Sequence, residues 1–301
     1  MDIVHFFSAS PLAFILLCTL LGLMVGSFIN VVIHRLPIMM DRECRTQCGE
    51  YLGLDAKHVA TSNPPLSPLS TQDTFNLTWP PSHCPQCRQP LRWIHNIPIV
   101  SYLWLRGQCA NCKQRISIRY PLIELVCAIL AAAVAYHFQF GWQALFAMVL
   151  LWSLVALSMI DFDHQQLPDV ITLPVLWIGL GANIFGLFTP LNNAVWGAIA
   201  GYLVLWALFH LFKWLTGKEG MGYGDFKLLA MLGAWMGLKF LPIIIVTSSF
   251  VGSVVGIGLI VFKNVGRDYK IPFGPYLALG GIITLFWGDK ILQAYWSYLG
   301  L

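Results

Sequence analysis

Two aspartates of the chain are candidates for carboxylate chemistry, because each lies beside a long apolar segment. Asp161 ends the apolar run "LWSLVALSMID", and Asp225 follows two glycines in "GMGYGDF". A lone carboxylate is costly to bury unless it gains a partner or takes up a proton. Two carboxylates that converge at neighbouring helix ends can share a proton, so these positions predict a two-aspartate site.

The chemistry of such a pair follows from charge repulsion. Two carboxylates about 4 Å apart repel by roughly 4 kcal/mol at an effective dielectric of about 20, so the pair would hold one proton near neutral pH. The ionised carboxylate could deprotonate water while the protonated one polarises a peptide carbonyl, as in aspartic proteases. The alternatives are structural: Asp225 and Asp169 as helix N-caps, and Asp163 as a solvated loop residue.

Four cysteines at paired spacing predict a metal site. Cys84-x2-Cys87 and Cys109-x2-Cys112 each span a tight turn, and together they supply the four thiolates that tetrahedral Zn²⁺ accepts. Such a site is structural, since four protein ligands leave no position for water. A disulfide interpretation is disfavoured because the predicted compartment, the cytoplasm, is reducing.

The other four cysteines carry weaker signals. Cys18 and Cys127 fall in apolar segments and are interpreted as small buried hydrophobic residues. Cys44-x3-Cys48 is interpreted as two free thiols, with a second, partial metal site as the alternative. The sequence assigns no role to this last pair.

The elements that must position these residues are membrane helices. Of the 301 residues, 57% are hydrophobic and 11% are charged, whereas a soluble domain carries about 25% charged residues. The fold class is therefore an all-α polytopic membrane protein surrounded by lipid. The first apolar segment lacks the basic start and cleavage site of a signal peptide, so it is predicted to be a retained span.

Apolar runs predict eight transmembrane helices, at 11–33, 121–139, 143–160, 170–188, 193–213, 226–238, 241–262 and 273–297. The sixth of these is unusually short. The polar segment 34–120 is predicted to be an extramembrane domain with a zinc-ribbon-like fold. The domain prediction is thus a first span within 1–33, the cysteine domain at 34–120, and a membrane domain at 121–301 that carries both aspartates.

Basic residues predict the orientation of the chain. If the polar segment is cytoplasmic, then 161–169, 214–225 and 263–272 lie on the same face, which holds sixteen of the eighteen Lys and Arg residues. Lys239 and Lys290 remain on the other face. The positive-inside rule then places the aspartates and the cysteine domain in the cytoplasm and both termini outside. Topology accounts for the net charge of +4, so no nucleic-acid partner is predicted.

Six segments in a fixed order resemble one protein family. They are "GSFINVVIHRLP" (26–37), the four-cysteine pattern, "RYPLIEL" (119–125), "IDFDHQQLPD" (160–169), "GKEGMGYGDFKLLAMLGAW" (217–235) and "IPFGPYLALGG" (271–281). The chain resembles the type IV prepilin peptidases, the bifunctional leader peptidase/N-methyltransferases of type IV pilus and type II secretion systems. The resemblance covers nearly the whole chain.

This resemblance implies a membrane aspartic endopeptidase of the GxGD type, with Asp161 and Asp225 as its catalytic residues. It implies that the substrates are prepilins and pseudopilins, whose basic leader is cut after a glycine on the cytoplasmic side of the bacterial inner membrane. The new N-terminal residue, usually phenylalanine, would then be methylated with S-adenosylmethionine. Which pilin or pseudopilin is processed, and the oligomeric state, stay open.

The methyltransferase half has a weaker signature. No soluble-type Rossmann fingerprint is present, and "GLGANIFG" (179–186) is interpreted as a helix-packing motif. Glu124 is a weak candidate for contact with S-adenosylmethionine or with the substrate amine. A structural ion pair of Glu124 with a basic residue such as Arg119 is the alternative.

Several polar residues near the predicted cytoplasmic ends of the spans have open roles. Gly26 is assigned to helix packing. For Asn30 and Arg35 two roles stay open, either helix packing or part of a surface for methyl transfer or leader binding. Lys218 and Glu219 lie near the predicted aspartate pair. They could tune its electrostatics or form a simple ion pair.

Two rival function classes fit parts of the sequence. A proton- or cation-coupled transporter could use Asp161 and Asp225 as relay groups in glycine-broken helices. Relay carboxylates are expected near mid-membrane, however, whereas these two map to one interface. A zinc-domain membrane scaffold without catalysis would need the cysteines and not the aspartates.

Overall fold

The computed structural model describes residues 7, 10–51, 75–84, 86–91, 93–217, 220–263 and 271–300. Six charged residues that enter the arguments on topology and electrostatics lie outside these described residues: Lys57, Arg92, Lys218, Glu219, Arg267 and Lys270.

Helices make up the regular structure of the described residues, which contain no β-strand. They are α1 (Pro11–Tyr51), α2 (Val100–Trp104), α3 (Arg119–Phe138), α4 (Trp142–His164), α5 (Asp169–Ile184), α6 (Leu191–Thr216), α7 (Tyr223–Met236), α8 (Leu241–Lys263) and α9 (Gly274–Leu299). Two 3₁₀ turns lie at Trp93–Asn96 and Leu238–Phe240. The predicted all-α membrane class is confirmed.

Each predicted span overlaps a helix. Within the described part of the chain, five helical segments are long and apolar enough to cross a membrane, namely α1, α3, α4, α6 and Leu238–Phe262. By contrast, α7 has 14 residues and is about 21 Å long, which is less than the ~30 Å thickness of a bilayer's hydrocarbon core. The number of eight spans therefore stays a prediction.

The first helix is longer than its apolar pattern indicates. α1 continues past the predicted span to Tyr51, with Pro37 inside it. In this polar extension the carboxylate of Asp41 lies 2.9 Å from the guanidinium of Arg45, four residues further along. Such i,i+4 pairs support helix without any apolar periodicity, which explains why hydropathy alone did not reveal the extension.

The chain separates into two compact units. The first unit comprises residues 20–128, and the second comprises residues 1–19 together with 129–301. All four paired cysteines belong to the first unit, and both candidate aspartates belong to the second. The predicted cysteine domain, 34–120, lies within the first unit, and its boundaries stay a prediction.

The core of the second unit is built around α7. Every residue from Phe226 to Met236 except Lys227 is buried, and α7 contacts α5, α6, α8 and α9. Glycines allow the close approach of α6, since a methyl group on Gly201 would come within 2.7 Å of the Leu229 carbonyl oxygen. Contact of backbone with backbone through small residues is a standard way for membrane helices to associate. Because α7 is packed in this core, the position of its first turn is fixed.

The far end of α7 is anchored to α5 by a buried tryptophan. The indole Nε1 of Trp235 donates a 2.9 Å hydrogen bond to the carbonyl oxygen of Val175. The indole ring lies directly on Gly179, leaving no space there for a side chain. Gly179 begins the "GLGANIFG" segment, so the predicted packing role of that segment is confirmed.

The same segment contributes a buried asparagine that connects three stretches of backbone. Asn183 is 1% exposed, and its Nδ2 donates to the carbonyl oxygens of Ala234 and Trp235 at 2.8 and 3.1 Å. Its Oδ1 accepts hydrogen bonds from the backbone N–H groups of Phe188 and Thr189. The last carbonyls of a helix lack partners within the helix, so Asn183 stabilises the end of α7.

Candidate functional site

Asp161 lies one turn before the end of α4 and is 6% exposed. Its Oδ2 accepts a 2.9 Å hydrogen bond from the backbone N–H of Gly274, the first residue of α9. This contact requires a glycine, because a methyl group at position 274 would come within 2.7 Å of the same oxygen. The start of α9 thus orients the Asp161 carboxylate.

Asp225 lies in the first turn of α7 and is also 6% exposed. Its Oδ2 accepts a 3.2 Å hydrogen bond from the backbone N–H of Gly222, which occupies the N-cap position. The interpretation of Asp225 as the N-cap is therefore wrong. The carboxylate instead reaches back from the third helical residue, where the helix dipole favours negative charge.

The structure brings Asp161 and Asp225 together from distant parts of the chain, close enough for their charges to interact. Among the described residues, each carboxylate accepts one hydrogen bond, and both bonds use Oδ2. No described residue donates a hydrogen bond to Oδ1 of either carboxylate, so these two atoms could accept one from a water molecule or a substrate. Two buried carboxylates with this arrangement can perform acid–base chemistry on a bound water.

Leu167 lies beside this pair, in the turn between α4 and α5. A methyl group on Gly224 would come within 2.8 Å of Leu167 Cβ, and one on Gly274 would come within 3.2 Å of Leu167 Cδ2. Neither Leu167 nor Gly274 was predicted to belong to the site. Gly274 could have been found from its place in the "IPFGPYLALGG" segment, whereas no property of the sequence singles out Leu167.

An ion pair lies next to the two aspartates. The Nζ atom of Lys227, two residues after Asp225, lies 2.6 and 2.8 Å from the two carboxylate oxygens of Asp169. Asp169 is the first residue of α5 and Pro168 is its N-cap, so the predicted capping role of Asp169 is wrong by one position. Asp163, interpreted as a loop residue, is exposed in the last turn of α4.

In the first unit, the four paired cysteines converge as predicted. Their Sγ atoms all lie within 4.8 Å of one another, and those of Cys84 and Cys112 are 3.8 Å apart. A tetrahedron with Zn–S bonds of about 2.3 Å has sulfur–sulfur edges of about 3.8 Å. The donor set therefore fits Zn²⁺, with Cys84 and Cys109 buried and Cys112 exposed.

Two equivalent turns present these sulfur atoms. The backbone N–H of Arg88 donates to the Cys84 carbonyl at 2.9 Å, and that of Lys113 donates to the Cys109 carbonyl at 3.1 Å. Each turn is flanked by one isolated antiparallel bridge, and both Arg88 and Lys113 have positive φ, 55° and 61°. The segments "CPQCRQP" and "CANCKQR" show this local repeat in the sequence itself.

Backbone N–H groups favour a thiolate in the second turn. Hydrogen bonds from the backbone of Cys112 and Asn111 lower the pKa of Cys109 to about 6. A hydrogen bond from the Gln114 backbone lowers the pKa of Cys112, but desolvation and hydrogen bonds with the neighbouring thiols outweigh it and raise that pKa to about 11. Zn²⁺ binds the thiolate form of cysteine, so metal binding at this cluster would release protons.

The remaining cysteines are placed as predicted. Cys18 and Cys127 are buried, and Cys44 and Cys48 are exposed free thiols on α1. In the part of the chain that the structure describes, the four-cysteine cluster is the only group of three or more side chains able to hold a metal ion. A second, partial metal site at Cys44 and Cys48 has no further ligand there.

Glu124 is a buried carboxylate of the first unit, 8% exposed. Its Oε2 accepts a 2.8 Å hydrogen bond from the backbone N–H of Ile99, the N-cap residue of α2, whose φ is 58°. Glu124 therefore holds the turn that precedes α2, and its role toward S-adenosylmethionine stays a prediction. A methyl group on Gly26 would come within 2.7 Å of Glu124 Cα, which confirms the packing role of Gly26.

Asn30 and Arg35 make structural contacts. The Nδ2 of Asn30 donates to the Tyr120 carbonyl at 3.1 Å. Arg35 is 7% exposed, and its guanidinium donates to the carbonyl oxygens of Pro80 and Asn76 at 2.7 and 3.0 Å. These contacts favour packing over a leader-binding surface for both residues.

The fold and the two sites define a polytopic membrane protein with a buried aspartate pair in one unit and a four-thiol cluster in the other. Residues 20–138 match the family described as Bacterial Peptidase A24 N-terminal domain, and residues 148–257 match the Type IV leader peptidase family. These matches agree with the order of motifs along the chain.

Similar proteins cover the whole chain. It is 51% identical to the prepilin leader peptidase/N-methyltransferase of Stutzerimonas stutzeri, over 99% of each chain. It is also 51% identical to the protein of that name from Pseudomonas aeruginosa, over 100% of this chain and 99% of the relative. The relative from Neisseria gonorrhoeae is 48% identical over 95% of this chain and 94% of its own. No solved structure matches the chain.

The chain therefore belongs to the type IV leader peptidase family, among the prepilin leader peptidase/N-methyltransferases. The family resemblance predicted from the ordered motifs is confirmed. The alternative prediction of a proton- or cation-coupled transporter is not supported by any of these similarities.

Proposed function

We propose that this protein cleaves the basic leader peptide from type IV prepilins and pseudopilins, and then N-methylates the new terminal residue with S-adenosylmethionine. Both steps would occur on the cytoplasmic side of the bacterial inner membrane. Relatives that match the chain over its whole length are named prepilin leader peptidase/N-methyltransferase. The observation that carries the peptidase proposal is the buried pair of Asp161 and Asp225, each held through one oxygen by a backbone N–H.

Peptide cleavage by this pair follows the chemistry of two carboxylates that share a proton. The ionised carboxylate removes a proton from a water, whose oxygen bonds to the carbonyl carbon while the protonated carboxyl donates to the carbonyl oxygen. Collapse of the tetrahedral intermediate breaks the C–N bond, and a carboxyl proton passes to the leaving amine. Because coupled groups titrate as a unit, neither aspartate is assigned a fixed protonation state.

The location of the pair suits a substrate that is itself a membrane helix. Asp161 lies in the last two turns of α4, one of the helices able to span a membrane, and Asp225 lies in the first turn of α7. A prepilin carries a basic leader before a hydrophobic helix. The pair of Asp161 and Asp225, called the dyad below, lies at helix ends. It would cut between these two parts without removing the substrate helix from lipid.

The two expected cofactors are treated separately. Zn²⁺ held by Cys84, Cys87, Cys109 and Cys112 would be structural, since four thiolates complete its tetrahedral shell. S-adenosylmethionine supplies the methyl group of the second reaction. We assign no residue to it, because the candidate Glu124 is buried and its carboxylate accepts the N–H of Ile99.

Substitution of each aspartate by asparagine tests the proposal. Asp161→Asn and Asp225→Asn are each expected to lower cleavage of a purified prepilin in detergent by at least about a hundredfold, since an amide cannot accept or share the catalytic proton. Asp163→Asn is the matched control, because this exposed residue lies two positions from Asp161 and should leave cleavage intact. Full cleavage by either dyad variant would refute the assignment.

A further inference from the structure

The side chain of Leu167 lies between the two glycines that adjoin the aspartates. A methyl group on Gly224, the residue before Asp225, would come within 2.8 Å of Leu167 Cβ. A methyl group on Gly274 would come within 3.2 Å of Leu167 Cδ2 and 2.7 Å of Asp161 Oδ2. Carbon atoms in favourable contact are about 3.5–4.0 Å apart, so Leu167 already fills the space between these two stretches of backbone.

Leu167 is held in this place by its surroundings. It lies in the turn between His164, the last residue of α4, and Asp169, the first residue of α5. The side chain is partly buried and packs against the hydrophobic core, and the adjacent Pro168 is buried. The ion pair of Asp169 with Lys227 ties the end of the turn to α7. Leu167 therefore forms a fixed wall beside the dyad.

The turn that carries Leu167 would face the leader part of a substrate. It lies beyond the end of α4, whereas the apolar part of α4 extends away from it. A prepilin places its polar leader before the scissile bond and its hydrophobic helix after that bond. The residue that precedes the bond therefore approaches the dyad from the side of the turn.

We propose that Leu167 closes the space beside the dyad on the leader side and restricts the residue before the scissile bond to glycine. This inference rests on the proposed function. The Cα of that residue is about 1.5 Å from the attacked carbonyl carbon, so a Cβ would lie within about 2.5 Å of that carbon, among Leu167, Gly224 and Gly274. Glycine has no Cβ and fits.

The test compares two substrates on one enzyme. A prepilin with its natural glycine and a variant with alanine at that position are cleaved by the full-length protein in detergent, and the alanine-to-glycine ratio of kcat/KM is measured. Leu167→Ala is expected to raise this ratio by about tenfold to a hundredfold, as expected for about one methyl group in a pocket. Leu167→Val removes less volume and should raise it by less.

Leu173→Ala is the matched control, since Leu173 is an exposed leucine of α5 and its loss should leave the ratio unchanged. If the Leu167 variants cleave the natural glycine substrate and keep the wild-type alanine-to-glycine ratio of kcat/KM, the inference is wrong. Glycine would then be required for its backbone conformation. If Leu167→Ala is inactive on both substrates, the ratio for Leu167→Val decides. Failure of the wild-type protein to cleave the natural prepilin would refute the proposed function itself, a distinct result.

Discussion

The carboxylates of Asp161 and Asp225 are oriented by backbone N–H groups, from Gly274 and Gly222, rather than by polar side chains. A backbone donor cannot rotate away, so the starts of α9 and α7 determine where each oxygen points. A preorganised arrangement of this kind reduces the reorganisation needed during reaction. A glycine that touches a carboxylate should therefore matter for catalysis even though it takes no part in proton transfer.

Gly274→Ala tests this role. The added methyl group would lie 2.7 Å from Asp161 Oδ2 and 3.2 Å from its Cγ, so the carboxylate must move, and small displacements of catalytic groups cost about a hundredfold in rate. We expect kcat for a prepilin to fall by about that factor. Gly258→Ala, where a methyl group meets nothing within 4 Å, should retain wild-type kcat. A wild-type kcat for Gly274→Ala would contradict the orienting role.

The cysteines make a second prediction for single residues. Purified wild-type protein should contain about one zinc per chain, and Cys109→Ser should lose it and melt at a lower temperature, because structural zinc contributes directly to folding. Metal analysis and thermal unfolding in detergent are the measurements. Cys44→Ser and Cys48→Ser, both at exposed positions, are the controls and should keep the metal. Loss of zinc in these controls to the same extent would contradict the assignment of the ligands.

At the scale of helices, each apolar run coincides with a helix, but the runs do not show how the helices pack. A run such as "FKLLAMLGAW" is apolar on nearly all sides, so hydropathy does not show which faces of α7 meet α5 and α6. Residue chemistry was enough to single out Asp161, Asp225 and the four paired cysteines as candidates, and their catalytic and metal-binding roles stay predictions. Leu167 and Gly274 were missed because their roles depend on contacts between distant segments. Asn183 offered a usable signal, a polar amide within an apolar run.

Asn183→Leu tests how much this amide contributes to the packing of α7. The change preserves side-chain volume but leaves the Ala234 and Trp235 carbonyls and two backbone N–H groups without their partner. We expect the free energy of unfolding to fall by about 3 kcal/mol, measured by chemical unfolding in detergent. Asn192→Leu, at an exposed position of α6, should change it by less than about 0.5 kcal/mol. Equal stabilities of the two variants would show that Asn183 is not a structural connector.

At the scale of the whole molecule, the contacts between helix ends bear on the parity of the spans, which stays a prediction. The end of α4 meets the start of α9 through Asp161 and Gly274, and the starts of α5 and α7 meet through Asp169 and Lys227. These four helix ends were predicted to lie on one membrane face. That face is also predicted to hold sixteen of the eighteen basic side chains, which the positive-inside rule assigns to the cytoplasm.

Labelling of introduced cysteines tests this orientation. Gln166, in the turn beside the dyad, and Asn192, at the start of α6, are both exposed and are predicted to lie on opposite faces. In cells with a permeabilised outer membrane and an intact inner membrane, a membrane-impermeant maleimide should label Asn192→Cys but neither Gln166→Cys nor the unchanged protein, whose exposed Cys44 and Cys48 are predicted to be cytoplasmic. Disruption of the inner membrane should make all three proteins reactive. Labelling of Gln166→Cys in intact cells would place the dyad outside the cytoplasm, where it could not meet a prepilin leader before export.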